Sequence, residues 1–468
     1  MKKELQSLKL FIPSKSTEIY FFLGLVIFYL IIFLSPNKII YFSAYFISTI
    51  FFYLSTKNLW ISLLFSLILS LFSDVGLGAS LFLMQPEELR LGSGWFISPM
   101  TVLLFCLLPF SLKKEHLSKN KIDLIVLLFL LWNIFSFVIY PYQNVLYGVI
   151  FLSELILLYY VLRVNIKREN LSSIIHILIS LLIFQIGLGF VQFLLGRPIG
   201  IIAEGIGVST PYGFTTIEDR NIFRITGTFA HPNFFASFLL ITIPFIILYK
   251  TKYSVFSFLK IFSVLAVIFT YSRAAWIIFT ILAFLMLGTA KFYQNIRKKL
   301  VSKSIVALII FVLAVFILLQ PYIYNRLHSF SLAFAERGSF AVRLATYQEA
   351  LSIVQQFPLV GVGLYRSIEY YAYNPVSETF KMILANRALG IHNTFLEIAA
   401  ETGIPGFIIF TLFLVLVFRH YFHLKNKSNS QKAAFYGLIG LIGMSMFNPF
   451  FHSSQFRLFF LLSAIILV

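Results

Sequence analysis

Charged side chains are scarce in this chain of 468 residues: Asp, Glu, Lys and Arg make up 12% of it, against 59% hydrophobic residues. A soluble globular protein carries about 25% charged residues. The net charge of +19 would suggest nucleic acid in a soluble protein, but this composition excludes a soluble one. Apolar runs of about 20 residues recur without the two-residue alternation of a membrane barrel. We therefore predict an all-α integral membrane protein.

Cysteine is nearly absent. The single one, Cys106, excludes an internal disulfide and any cysteine-based metal cluster. The sequence also lacks a Walker motif, a Rossmann fingerprint and a serine nucleophile elbow. No second histidine or cysteine stands at metal-ligand spacing from its most polar segment. We expect no cofactor, no metal and no nucleic-acid partner.

Hydropathy predicts about 12–14 transmembrane helices, the first of them a spanning helix rather than a cleavable signal peptide. Fourteen apolar stretches carry this prediction: 19–35, 39–54, 59–72, 95–112, 122–140, 145–162, 172–195, 233–249, 257–271, 274–290, 304–321, 403–418, 433–447 and 456–468. We divide the chain into N-terminal helices (1–200), a core (201–410) with a large outer loop at 322–402, and C-terminal helices (411–468).

The arginines and the lysines are distributed differently over this topology. With the N-terminus in the cytoplasm, the lysine-rich connections fall inside, as the positive-inside rule requires. Only four arginines fall inside: Arg163, Arg168, Arg297 and Arg419. The guanidinium group binds phosphate in a bidentate manner. The other arginines therefore predict a phosphate-bearing ligand on the outer side, with simple anchoring of helices at the interface as the alternative.

Two outer segments precede the long loop. In the segment 218–237, Gly227 predicts a tight turn, and His231 or Asn233 is expected to cap the helix that begins near Pro232. The N-terminus of that helix is a candidate anion site, with an ordinary capped helix as the alternative. In the second segment, Arg273 lies between two apolar runs, where a charge usually has a partner or a function. The alternative is a hairpin turn with the arginine turned outward.

The long outer loop contains a predicted amphipathic helix over 335–358. Its start is marked at Ser339 and its end at Pro358. One face carries the apolar residues Phe340, Leu344, Tyr347, Leu351 and Val354. We expect Arg343 to point into a cavity between helices. The glycines of Gly361-Val-Gly363 that follow are more typical of a turn than of a phosphate loop.

The last polar segment lies at the start of a membrane helix. Asn393, Glu397 and Glu401 follow one another at four-residue spacing and share one stripe. Ionisable residues at a membrane edge are functional candidates by default, and His392 is a candidate general base or phosphate donor. The alternative is that His392 caps the helix or bonds a neighbour.

In this order, the segments resemble the bacterial O-antigen ligase and polymerase superfamily. The matching pieces are Arg224-Ile-Thr-Gly-Thr-Phe-Ala-His-Pro-Asn233, Tyr271-Ser-Arg273-Ala-Ala-Trp276, Arg343 followed by Pro358-Leu-Val-Gly-Val-Gly363, and His392-Asn-Thr-Phe-Leu-Glu397 leading into Glu401-Thr-Gly-Ile-Pro-Gly406. The resemblance is specific over about 220–410 and rests on hydropathy alone before residue 200. Ala230-His231 departs from the family pattern, where a second Asn or Asp is frequent, so the role of His231 is open.

The resemblance implies a multi-pass glycosyltransferase of the bacterial cytoplasmic (inner) membrane with its active site facing the periplasm or outside. Its donor would be an undecaprenyl-pyrophosphate-linked glycan, and its acceptor another glycan, a lipopolysaccharide lipid A-core or a protein. By position, Arg224, Arg273 and Arg343 would bind the pyrophosphate. His392 and Arg343 would be catalytic, and Asn233, His231, Asn393 and Glu397 are supporting candidates. The shared motifs leave ligase, polymerase and protein oligosaccharyltransferase open.

A lipid-linked glycan flippase is the main competing interpretation. A flippase requires cationic residues along a pathway deep between the helices. Deep charges such as Glu154 are few here, and the polar residues are concentrated on one side. This distribution favours an enzyme over a flippase. A sensor or scaffold is disfavoured because the sequence contains no sizeable soluble domain.

Overall fold

The computed structural model describes residues 15–35, 37–71, 83–84, 95–112, 120–201, 214–217, 220–229, 231–249, 255–287, 339–375 and 390–468. Helices dominate these ranges. The first seven are α1 (Lys15–Leu34), α2 (Lys38–Thr56), α3 (Leu59–Leu71), α4 (Pro99–Ser111), α5 (Lys121–Ile139), α6 (Gln143–Asn165) and α7 (Leu171–Leu195). The next eight are α8 (Pro232–Leu248), α9 (Val255–Phe269), α10 (Arg273–Leu287), α11 (Ser339–Gln356), α12 (Ser367–Tyr373), α13 (Thr394–His423), α14 (Asn429–Ser445) and α15 (Ser454–Ile466).

The predicted all-α membrane fold is confirmed. Five of these helices, α2, α5, α6, α7 and α13, are long and apolar enough to cross a membrane. Every predicted apolar stretch falls on a helix except 304–321, which lies outside the described residues. The short stretches at 59–72 and 456–468 are short as helices too, because α3 and α15 have 13 residues each.

Two short antiparallel hairpins interrupt the helices, and the sequence did not predict them. One pairs Leu83–Met84 (β1) with Trp95–Phe96 (β2). The other pairs Phe214–Ile217 (β3) with Arg220–Phe223 (β4). Strand β4 leads directly into Arg224, so the second hairpin fixes where the chain enters its most polar motif.

The helices that carry the polar motifs pack against a shared set of neighbours. Helix α14 lies against α8 and α10, and α13 lies against α5 and α11. Helix α15 packs on α6 and also touches α8 and α13. The C-terminal helices α14 and α15 therefore join the α8–α10 part of the chain to the α11–α13 part.

Helix α13 is broken at Gly403, whose φ of 72° lies in the left-handed region that glycine tolerates. The break releases backbone groups, and the turn after α11 binds them. The N–H of Ile404 donates to the carbonyl of Pro358 at 2.8 Å, and the N–H of Val362 donates to the carbonyl of Ala400 at 3.0 Å. The predicted glycine turn at 361–363 thus attaches α11 to the break in α13.

The amphipathic helix α11 begins at Ser339 and ends at Gln356, close to the predicted bounds. Its predicted apolar face is not the face that packs on the protein. Phe340, Leu344 and Leu351 are each about half exposed. The buried face carries smaller and polar residues instead: Ala345, Thr346, Glu349, Ala350 and Ile353. The difference arises because hydropathy marks the most apolar face, whereas close packing on α13 selects small side chains.

Candidate active site

The turn at Thr226–Thr228 is the base of the site, and two glutamines of α7 hold it. Gly227 has a φ of 57°, which confirms the predicted tight turn. The Oε1 of Gln192 accepts from the backbone N–H groups of Thr226 at 3.0 Å and Gly227 at 2.9 Å. The Oε1 of Gln185 accepts from the N–H of Thr228 at 3.0 Å. The turn is therefore buried, and its backbone N–H groups are hydrogen-bonded. This fixes the position of Arg224, which comes just before the turn.

Arg224 is held by two contacts from opposite sides. Its Nε donates to the carbonyl of Thr270 at 2.9 Å, and one terminal nitrogen donates to the Oδ1 of Asn233 at 3.1 Å. The Nδ2 of Asn233 in turn donates to the Oδ1 of Asn448 at 2.9 Å. This chain of contacts joins the start of α8, the end of α9 and the turn after α14. These contacts orient the guanidinium group of Arg224.

Arg273 starts α10 after a tight turn. Tyr271 adopts a φ of 49°, which is unusual for a residue with a side chain. The turn confirms the hairpin geometry, but the arginine is only partly exposed and lies within electrostatic reach of Arg343. Like charges repel, and an anion bound between the two arginines would relieve this repulsion.

Arg343 and His392 are positioned together by α11. The hydroxyl of Tyr347 donates to the carbonyl of His392 at 3.1 Å and to that of Met446 at 2.8 Å. The N–H of His392 lies 3.4 Å from the Oγ1 of Thr346. Burial lowers the pKa of Arg343, and its Nε is buried without a hydrogen-bond partner in the described part of the chain. A buried cation with an unused donor is suited to an anionic ligand.

The two histidines of the site lie among the same arginines. Burial, and after it the electrostatic influence of Arg224, His392 and Arg343, lowers the pKa of His231 to about 3. Burial and the charge of Arg343 lower the pKa of His392 to about 4, against a hydrogen bond to the Gly390 backbone. Both imidazoles are therefore neutral at physiological pH. The Nδ1 of His392 is buried and accepts no hydrogen bond within the described ranges.

Three helices begin at this cluster. His231 caps α8, with its Nδ1 accepting from the N–H of Asn233 at 3.1 Å. Asn393, not His392, caps α13. Arg273 is the first residue of α10. Helix N-termini carry partial positive charge and point backbone N–H groups outward. Three N-termini and three arginines together make a strongly anion-attracting site.

The glutamates of α13 face a different environment. Glu397 and Glu401 are both almost fully buried. Glu397 accepts from the N–H of Phe451 at 3.3 Å. Glu401 lies 2.6 Å from the Nε2 of His452 and accepts from the hydroxyl of Ser367 at 2.7 Å. These two side chains hold the turn after α14 and the turn after α11.

Among the described residues, no group of three His, Cys, Asp or Glu side chains is placed to hold a metal ion. The arginine cluster offers hydrogen-bond donors. Its groups can bind an anion through arginines and helix N-termini, and can accept a proton at His392.

Sequence reasoning missed the residues that support the cluster. Gln185 and Gln192 lie seven residues apart on one face of an apolar helix, and buried amides in a membrane helix are usually hydrogen-bonded across helices. That spacing was a usable signal. No sequence signal identified Asn448, because its role depends on Asn233, a residue 215 positions away.

Replacing Gln192 by leucine is expected to destabilise the protein by about 1–3 kcal/mol for each backbone donor left unsatisfied. The reason is that the N–H groups of Thr226 and Gly227 have Gln192 as their acceptor. Thermal unfolding in detergent measures the effect. Gln143→Leu, at an exposed position, is the matched control. An unchanged melting temperature for Gln192→Leu would contradict the assigned support.

Residues 258–411 match the family described as O-antigen ligase. The matched range contains Arg273, Arg343 and His392, and it ends within α13. Arg224 and His231 precede it and join the same cluster through the contacts described above. The match confirms the resemblance seen in the sequence. A search of curated proteins found no match.

Proposed function

We propose that this protein belongs to the O-antigen ligase/polymerase superfamily and is a lipid-linked-oligosaccharide-dependent glycosyltransferase. It would move a glycan from an undecaprenyl-pyrophosphate carrier to an acceptor hydroxyl on the outer side of the bacterial cytoplasmic membrane. The observation that carries the proposal is the convergence of Arg224, Arg343 and His392 around His231, with Arg273 beside Arg343. A diphosphate is the kind of anion that such a concentration of arginines binds.

The proposed reaction forms one bond, breaks one bond and transfers one proton. The acceptor oxygen attacks the anomeric carbon, the bond from that carbon to the diphosphate oxygen breaks, and the acceptor proton passes to His392. Negative charge develops on the departing diphosphate, where preorganised donors stabilise the transition state most. Hydrogen bonds to charged groups contribute about 1.5–3 kcal/mol each. Arginines and helix N-termini can therefore replace a metal, and the diphosphate bond makes a nucleotide unnecessary.

A reconstitution tests the proposal. Purified protein in liposomes receives undecaprenyl-pyrophosphate-linked glycan, a chelator and no nucleotide, with and without lipid A-core acceptor. We expect glycan transfer on a gel, abolished by His392→Ala. A ladder from the donor alone identifies a polymerase, and a single transfer that requires the added acceptor identifies a ligase. Transfer to an added acceptor protein would identify an oligosaccharyltransferase.

The same experiment tests the competing function. A flippase would give no transfer product in any tube and would move the labelled carrier to both leaflets of the liposome. That outcome would overturn the enzyme proposal. Transfer that requires a divalent metal would overturn the assignment of charge neutralisation to the arginines.

A further inference from the structure

Asn448 joins two parts of the site through its side chain and its backbone. It lies in the turn after α14 and is almost fully buried. Its Nδ2 donates to the carbonyl of Met444 at 2.8 Å, and its Oδ1 accepts from the Nδ2 of Asn233 at 2.9 Å. Both ends of the Asn448 amide are therefore engaged inside the protein.

The directions of the two asparagine amides are determined from both ends of this chain of contacts. A backbone carbonyl only accepts hydrogen bonds, and a guanidinium group only donates them. The carbonyl of Met444 takes the Nδ2 of Asn448, which leaves the Oδ1 for Asn233. Asn233 must then donate with its Nδ2 and present its Oδ1 to Arg224, at 3.1 Å from a terminal nitrogen. The acceptor that Arg224 meets at Asn233 therefore depends on Asn448.

We propose that Asn448 is a positioning residue for glycan transfer: it sets the direction of the Asn233 amide and, through it, the orientation of the Arg224 guanidinium towards the diphosphate. The inference rests on the proposed function, in which Arg224 binds the departing diphosphate. It assigns a role to a residue that lies outside the family match at 258–411. Asn448 acts through its neighbours and needs no contact of its own with the reacting atoms.

The turn that carries Asn448 is also attached to the segment of His392. The hydroxyl of Thr394, two residues after His392, donates to the backbone carbonyl of Asn448 at 2.8 Å and accepts from the N–H of Phe450 at 2.9 Å. Arg224 and His392 are therefore both positioned against one turn. Such placement matters because a misplacement of about 1 Å can reduce a rate about 100-fold.

The substitution Asn448→Leu removes the amide and leaves the backbone contact with Thr394 in place. Asn233 then loses the acceptor that fixes its direction, and its amide can turn over and present donors to Arg224. Two facing donors repel, so the guanidinium group loses its orientation. We expect Asn448→Leu to weaken inhibition of transfer by undecaprenyl diphosphate roughly tenfold, as for the loss of one hydrogen bond. Asn374→Leu, at the exposed end of α12, is the matched control.

A double-mutant cycle with Arg224→Lys in the full-length protein separates positioning from a purely structural role. Lysine keeps the charge, so inhibition stays measurable, but it has no planar fork to orient. In the Arg224→Lys background we expect Asn448→Leu to change the inhibition constant by at most about twofold. An equal loss in both backgrounds would show that Asn448 only supports the fold and would overturn the proposal. Wild-type inhibition of Asn448→Leu would also overturn it.

Melting temperatures in detergent show whether each variant is folded. If Asn448→Leu does not fold, Asn448→Ala, which adds no bulk, carries the same expectation in both backgrounds. A wild-type protein that transfers no glycan and does not bind undecaprenyl diphosphate would refute the proposed function itself. Transfer by the wild type, with the cycle giving equal losses, would refute only the role of Asn448.

Discussion

Lysine in place of Arg343 is expected to reduce kcat/KM for glycan transfer by roughly 10- to 150-fold. This range corresponds to the loss of one hydrogen bond to a charged group, about 1.5–3 kcal/mol. Lysine keeps the positive charge and loses the planar fork, so the substitution separates charge from geometry. The expectation rests on a guanidinium whose Nε is buried and unpaired within the described residues.

The kinetic constants of Arg343→Lys should show that the lost hydrogen bond acts in the transition state. If the fork binds the departing diphosphate more tightly than the bound donor, kcat falls together with kcat/KM. Arg419→Lys is the matched control, since Arg419 is exposed at the other end of α13. Near-normal turnover of Arg343→Lys would mean that Arg343 has a structural role on α11, and it would remove the main support for diphosphate binding.

Transfer is expected to depend on pH through His392, with an acid limb in kcat/KM near pH 4. The limb follows from the pKa of about 4 that burial and Arg343 impose on His392 in the free enzyme. A general base must be unprotonated, so activity is lost as the pH falls through this value. Bound diphosphate brings negative charge and raises the pKa. The acid limb in kcat should therefore lie at higher pH than the limb in kcat/KM.

His392→Ala is expected to remove the limb and reduce kcat by about 10²- to 10⁴-fold, the usual contribution of general base catalysis. His423→Ala, at the exposed last residue of α13, should leave the profile unchanged. The unfolded chain binds protons at His231 and His392 below about pH 6.5, before the folded protein does, so acid also lowers stability. Unfolding must therefore be measured at each pH at which activity is measured. If the acid limbs of kcat and kcat/KM lie at the same pH, that result would argue against a base beside the diphosphate.

The sequence predicted the elements that have strong local signals. Apolar runs predicted the membrane helices, and Pro232 with His231 predicted the capped start of α8. Ser339 and Pro358 bracketed α11, because a helix start and a helix stop are both local signals. The sequence singled out Arg224, Arg343 and His392 because charged groups at a membrane edge are costly without a function, and the structure brings them together near His231.

Contacts between distant segments could not be predicted in the same way. Asn233 meets Asn448, and Glu401 meets His452, only because α14 and α15 pack between the other helices. The buried face of α11 was also invisible, since hydropathy favours Phe340 over Ala345 while close packing favours the small residue. The tautomer of His231 depends on the cap it forms, which needs coordinates.

The most direct test of the central claim is a structure of the full-length protein in nanodiscs with undecaprenyl diphosphate bound. The account predicts that the diphosphate lies between Arg224, Arg273 and Arg343, within hydrogen-bonding distance of the Arg343 guanidinium. His392 should face the side from which an acceptor hydroxyl can approach. An ordered diphosphate bound elsewhere, with this cluster left empty, would contradict the account.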